Sequence, residues 1–126
     1  MNKKKLLLIN FEGLPFGYSA SINKIRLMGE ILSKSNFDVY CLNKRTSSNP
    51  RNIGFHRGIR FTFFNDNEKS HNIIKRLFKF FYAHIKELLF VNKIKSKYND
   101  KYILIHYNWF PIFIYYWVFS KLLNFK

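Results

Sequence analysis

The chain has 126 residues, 48% of them hydrophobic and 20% aromatic, the size and composition of one folded domain rather than of a disordered segment. Its 22 Lys and Arg against 7 Asp and Glu give a formal charge of +15, which favours anionic partners such as phospholipid surfaces, nucleic acid or phosphorylated small molecules. Cys41 is the only cysteine, which excludes an internal disulfide and a cysteine-based zinc site and fits a buried, inert thiol in a reducing compartment.

A compositional bias toward Lys, Asn, Ile and Phe is the bland explanation of the charge, so its position matters more than its total. The basic start "MNKKKLLLIN" carries only a short apolar run and no small-residue cleavage pattern. No secretory signal is therefore expected, and the expected location is the cytoplasm, with a peripheral position on the inner face of the cell membrane as a second expectation tied to the basic helix and the resemblance given below.

Residues 5–10 form a continuous apolar run of strand length, as in buried parallel strands. The loop "FEGLPFGYSAS" follows, and Ser19 or Ser21 can cap a helix running to about Lys34. Ile22, Ile25, Met28 and Leu32 recur there at helical spacing and predict its core stripe. "SKSN" turns the chain into a second strand, 37–42. Residues 43–58, rich in Ser and Asn with a Pro and two Gly, read as a loop. A third strand is expected at 59–64, a long helix over 70–97, and a fourth strand at 102–106. A helix over 110–123 closes the chain, with Pro111 tolerated in its first turn. Residues 102–123 could be mistaken for a membrane span, but His106, Asn108 and Pro111 interrupt them and their aromatics suit an interface better.

This alternation predicts an α/β fold: a Rossmann-like parallel sheet with strand order 3-2-1-4, helices on both faces and right-handed crossovers. The whole chain, 1–126, reads as a single domain. Ligands on such sheets bind beyond the carboxyl ends of the strands, where the loop after Asn10 and the "YNW" after His106 both fall.

That first loop has neither the Gly-Lys-Ser/Thr of a Walker A sequence nor the G-x-G-x-x-G of a dinucleotide fingerprint. It leaves a glycine loop leading into a helix N-terminus, suited either to a bound anion or to a plain turn. The sequence calls for no metal and no cofactor.

"KKLLLINFEGLPFGYSASINKIRLMGEILSKSNFDVYCLNK" resembles the opening of the family 4-like glycosyltransferases of the GT-B fold. Those enzymes begin with an apolar strand, a Pro/Gly loop and a helix before a second apolar strand. "YILIHYNWF" resembles their fourth strand, often an Asp-Val-Ile-His-x-His type of sequence. The resemblance implies an incomplete N-terminal, acceptor-side half of a GT-B fold. Its Gly13, Phe16, Gly17, Tyr18 and Ser19 would face substrate, with His106 and Asn108 as polar contacts at the neighbouring strand end. A nucleotide sugar would be the donor and a saccharide or lipid-linked molecule the acceptor. Two departures stand out: Gly17-Tyr18 replaces the family's frequent glycine pair, and Asn108 replaces its second His. His106 can equally be a core histidine. The Glu pair of the family's donor-binding domain is absent, so the lone chain is expected to be inactive and to need a donor-binding partner chain. No catalytic residue is assigned.

The helix over 70–97 places Ile74, Leu77, Phe78, Phe81, Ile85 and Leu88 on one broad face, expected to be core. Lys75, Lys79, Lys86, Lys93 and Lys97 share a stripe flanked by Tyr82 and Phe90. That pattern suits an anionic membrane surface, although an ordinary solvated face has the same composition. Nucleic acid is the rival partner, but no helix-turn-helix, zinc-finger or RNA-binding aromatic signature supports it. The alternative to a transferase half is a non-catalytic membrane-associated subunit or a gene remnant.

Overall fold

A computed structural model of the chain describes residues 5–10, 19–43, 53–64, 71–105 and 110–126. The element order is β1 (Lys5–Asn10), α1 (Ala20–Ser33), β2 (Phe37–Asn43), β3 (Ile53–His56), β4 (Ile59–Phe63), α2 (Ile73–Lys95), β5 (Lys101–Ile105) and α3 (Phe110–Leu122). The fold is α/β, with one mixed five-stranded sheet in the order β3-β4-β2-β1-β5.

That order differs from the 3-2-1-4 expectation because part of the expected 43–58 loop is a strand. Residues 53–56 pair antiparallel with β4, from Ile53 opposite Thr62 to His56 opposite Ile59. Arg57 and Gly58 make the two-residue turn between them with φ of 47° and 87°, the left-handed pair that matches the twist of a hairpin. Arg57 Nη1 lies 3.7 Å from Glu30 Oε1 on α1, so the turn is tethered to the helix beneath it. The other neighbouring strands run parallel.

Both faces of the sheet are covered, which is why β1 reads as an unbroken apolar run. Leu7 and Ile9 point to one side, where they pack with Val39, Cys41, Ile59 and Ile25 of α1. Leu6 and Leu8 point to the other, toward Val91 and Ile94 of α2 and Tyr116 and Phe119 of α3. Ser19 caps α1, its Oγ accepting from Ile22 N at 3.2 Å. Ile25 is buried in the expected stripe, whereas Met28 is 37% exposed. Gly29 takes the inward position instead, where a Cβ would lie 3.0 Å from Ile59 Cδ1; the bare backbone lets α1 sit close to the sheet.

Asn72 caps α2, its Oδ1 accepting from Ile74 N at 2.9 Å. Tyr98 Oη, just past the helix, donates to Asp38 Oδ2 at 2.8 Å, and Asp38 pairs with Leu6 at the amino end of β1. Glu87 meets Asn10 at the carboxyl end. The helix between them rises about 16 Å, and β1 spans about the same length. The turns of α2 before that point run out past the carboxyl edge of the sheet, with Ala83 the last of them to reach the core. Burial follows this geometry: Ala83, Glu87, Val91 and Ile94 are the buried residues of α2, while residues 73–82 are all exposed except half-buried Lys79.

The broad apolar face expected to be core is therefore outside. Ile74, Leu77, Phe78, Phe81, Ile85 and Leu88 are all exposed. Five of the six precede Glu87, where the helix runs out past the sheet, and the inward arc belongs to the smaller set around Glu87. At the far edge, Lys126 N donates to Lys101 O at 2.8 Å and its O accepts from Ile103 N at 3.1 Å, so the last residue runs alongside β5. No described helix is long and apolar enough to cross a membrane.

Candidate functional site at the carboxyl edge of the sheet

The apolar run of β1 ends in a polar residue, Asn10, which is 1% exposed. Its Nδ2 donates to Glu87 Oε1 at 3.1 Å. The Tyr116 hydroxyl, from α3, donates to the same carboxylate with its oxygen 3.1 Å from Oε1 and 3.0 Å from Oε2. Glu87 and Tyr116 are fully buried. A carboxylate taken out of water is tolerable only when its oxygens are hydrogen-bonded, and here the end of a strand and two helices converge to supply those bonds.

His84 stands one helical turn before Glu87, its Nδ1 3.6 Å from Glu87 Oε2. The imidazole packs edge-on against Phe80 at 4.4 Å and Tyr115 at 4.6 Å between ring centroids. His84 Nδ1 and the Tyr115 hydroxyl are buried without a hydrogen-bond partner. Burial, and then the charge of Glu87, push the Tyr115 hydroxyl well above the ordinary tyrosine range. One strand further along, Asn43 ends β2 fully buried, with Nδ2 3.5 Å from Cys41 Sγ.

This arrangement fixes backbone. Glu87 has no solvent access, so it is a hydrogen-bond acceptor that sets where β1 ends and its following loop begins. No group of three or more His, Cys, Asp or Glu that could hold a metal occurs among the described residues.

Of the residues expected to face substrate, Gly13, Phe16, Gly17, Tyr18, His106 and Asn108 lie outside the described residues. Ser19 is described, and its side chain caps α1. Asn10 and Ile105, the last described residues before the two expected substrate segments, are paired in the sheet. Asn10, Glu87 and Tyr116 were not anticipated. Asn10 as a polar end to an apolar strand and Glu87 as the single acid of a basic helix were the signals available.

Among the lysine-stripe residues, Lys75, Lys86, Lys93 and Lys97 are exposed and Lys79 is half-buried. Lys86 Nζ sits 4.4 Å from the centroid of the Tyr82 ring. Phe90 differs from its expected place beside them: it turns inward, edge-on to Tyr40 at 6.0 Å and Phe64 at 5.9 Å.

A second polar cluster lies at the opposite, amino edge. Arg60 Nη1 donates to Tyr40 Oη at 2.7 Å and lies 3.9 Å from Asp38 Oδ2. The adjoining cleft of about 130 Å³, lined by Ser33, Phe37, Phe55 and Arg60 among others, is smaller than the roughly 300 Å³ at which sites for drug-sized ligands begin. It also lies at the wrong end of the strands for an α/β ligand site.

Comparison with protein-family models, with curated proteins and with solved structures found no match to this chain.

Proposed function

We propose that this chain is the acceptor-side half of a glycosyltransferase, moving a sugar from a nucleotide-sugar donor to a saccharide or lipid-linked acceptor. The donor is held by a second domain or a partner chain, and the two halves enclose the reacting groups. The observation that carries the reading is the Asn10–Glu87–Tyr116 network. It ties the end of β1 to two helices at the strand edge where α/β sheets take their ligands. Residues 11–18 and 106–109 follow the two strand ends at that edge in sequence, and both resemble the family's substrate-facing segments. In this reading the buried carboxylate is a positioning group, and the substrate contacts come from the loops it anchors.

The test is performed on the native protein, isolated from its own cells with whatever it retains. Radiolabelled nucleotide sugars are supplied one at a time together with a lipid and polysaccharide extract of those cells. Label passing from one nucleotide sugar into the extract, and lost when the protein is removed, supports the reading. Protein that retains its native fold but transfers label from no nucleotide sugar overturns it.

A further inference from the structure

The overhanging half of α2 is the least explained surface of the molecule. Phe78, Phe81 and Ile85 are 70%, 63% and 53% exposed, and at helical spacing they share one outward arc with Ile74. Lys75, Lys79 and Lys86 lie along one flank of that arc, beside Tyr82. No acidic residue occurs from His71 to Lys86, and the single acid of α2, Glu87, is turned into the core. An outward apolar arc with a lysine flank and no carboxylates is the pattern of a helix that lies in a membrane interface. The sequence pattern alone assigns the apolar arc to the core and the membrane contact to the lysines with Tyr82 and Phe90. The structure gives Phe90 to the core and leaves the apolar arc free.

We propose that the overhanging half of α2 docks the protein on an anionic bilayer. Phe78, Phe81 and Ile85 enter the headgroup boundary, and Lys75, Lys79 and Lys86 meet lipid phosphates. Charge decides between a bilayer and a second copy of the chain. Two copies at +15 each would bring lysine flank against lysine flank, and residues 71–86 carry no carboxylate to pair them, whereas an anionic bilayer supplies negative charge. Because the overhang extends beyond the carboxyl edge of the sheet, docking also holds that edge close to the bilayer. The docking does not depend on the sugar-transfer reading, and its test contains no sugar.

The experiment is co-sedimentation of the full chain with phosphatidylcholine vesicles, with and without phosphatidylglycerol, at low and high salt. Binding is expected to require phosphatidylglycerol. The double variant Phe78→Asp, Phe81→Asp should lose binding at both salt concentrations. Lys75→Gln, Lys79→Gln and Lys86→Gln together should weaken it on the order of 100-fold at low salt and far less at high salt. Leu122→Asp, on the exposed end of α3 away from the overhang, should leave binding unchanged. A second measurement needs no variant: amide exchange in residues 73–82 of the wild-type chain should slow on phosphatidylglycerol vesicles. Wild-type protein that ignores these vesicles overturns the proposal, as does a folded Phe78→Asp, Phe81→Asp variant that binds like wild type. A dimer in gel filtration that this variant converts to monomer, without vesicle binding by the wild type, would make the face an interface between copies.

Discussion

Glu87 and Asn10 are 77 positions apart in the chain, yet the Asn10 amide donates to the Glu87 carboxylate at 3.1 Å, fully screened from solvent. One bond thus joins the end of the first strand to the middle of the longest helix. Glu87→Ala removes the acceptor shared by Asn10 and Tyr116. A loss of about 2–4 kcal/mol is expected, since each hydrogen bond lost to a charged group costs about 1.5–3 kcal/mol. Tyr116→Phe, which removes one donor and keeps the ring, should cost about 1.5–3 kcal/mol. Urea denaturation of the two variants checks the order.

Tyr115→Phe should behave in the opposite sense. Its hydroxyl is buried without a partner, so removing it takes away a desolvation cost and no hydrogen bond. The variant is expected to be as stable as wild type or more stable by about 1 kcal/mol. A melting temperature several degrees below wild type would show that the hydroxyl is satisfied in solution.

Alkaline pH should unfold the protein in a defined direction. Burial raises the hydroxyls of Tyr98 and Tyr115 above their ordinary range; a hydrogen bond to Asp38 adds to the shift at Tyr98, and the charge of Glu87 adds to it at Tyr115. An unfolded tyrosine ionises near pH 10, while the folded one holds its proton to higher pH. The unfolded state therefore binds fewer protons above about pH 10, and stability falls as pH rises beyond it. The contribution is intact below that pH. Denaturant midpoints between pH 8 and 11 should show the fall, and Tyr98→Phe with Tyr115→Phe should flatten it.

Gly58→Ala tests the hairpin. The residue has a φ of 87°, and a Cβ there would collide with the Ser33 side chain. A cost of about 1–2 kcal/mol is expected from the backbone conformation alone, and urea denaturation reads it. A neutral result would mean that residues 53–58 do not form the turn described.

The parts of the fold legible in the sequence are those governed by neighbours along the chain. Ser19 stands where a capping oxygen is needed, and the β1 run signals burial on both faces. The hairpin was hidden because Gly54 and Gly58 counted as loop composition. The available signal was Gly58 between two alternating runs, and it was weak because Arg57 is not a residue that favours the positive φ of such a turn. For α2, periodicity finds an apolar arc but carries no information on which arc meets the sheet. That depends on how far the helix runs beyond β1, a length set by residues far away in sequence. The Glu87 network was illegible for the same reason, because its partners lie 77 and 29 positions away.

Cys41 lies at the centre of the sheet with no solvent exposure, and it is the only thiol in the chain. The protein therefore carries its own chemical clock. A thiol reagent added to native protein can react only during excursions that part β2 from the helix covering it, so the rate of modification times those openings directly. Excursions confined to the overhang of α2 leave the clock silent, which lets one native cysteine tell fraying of the helix from breaking of the core.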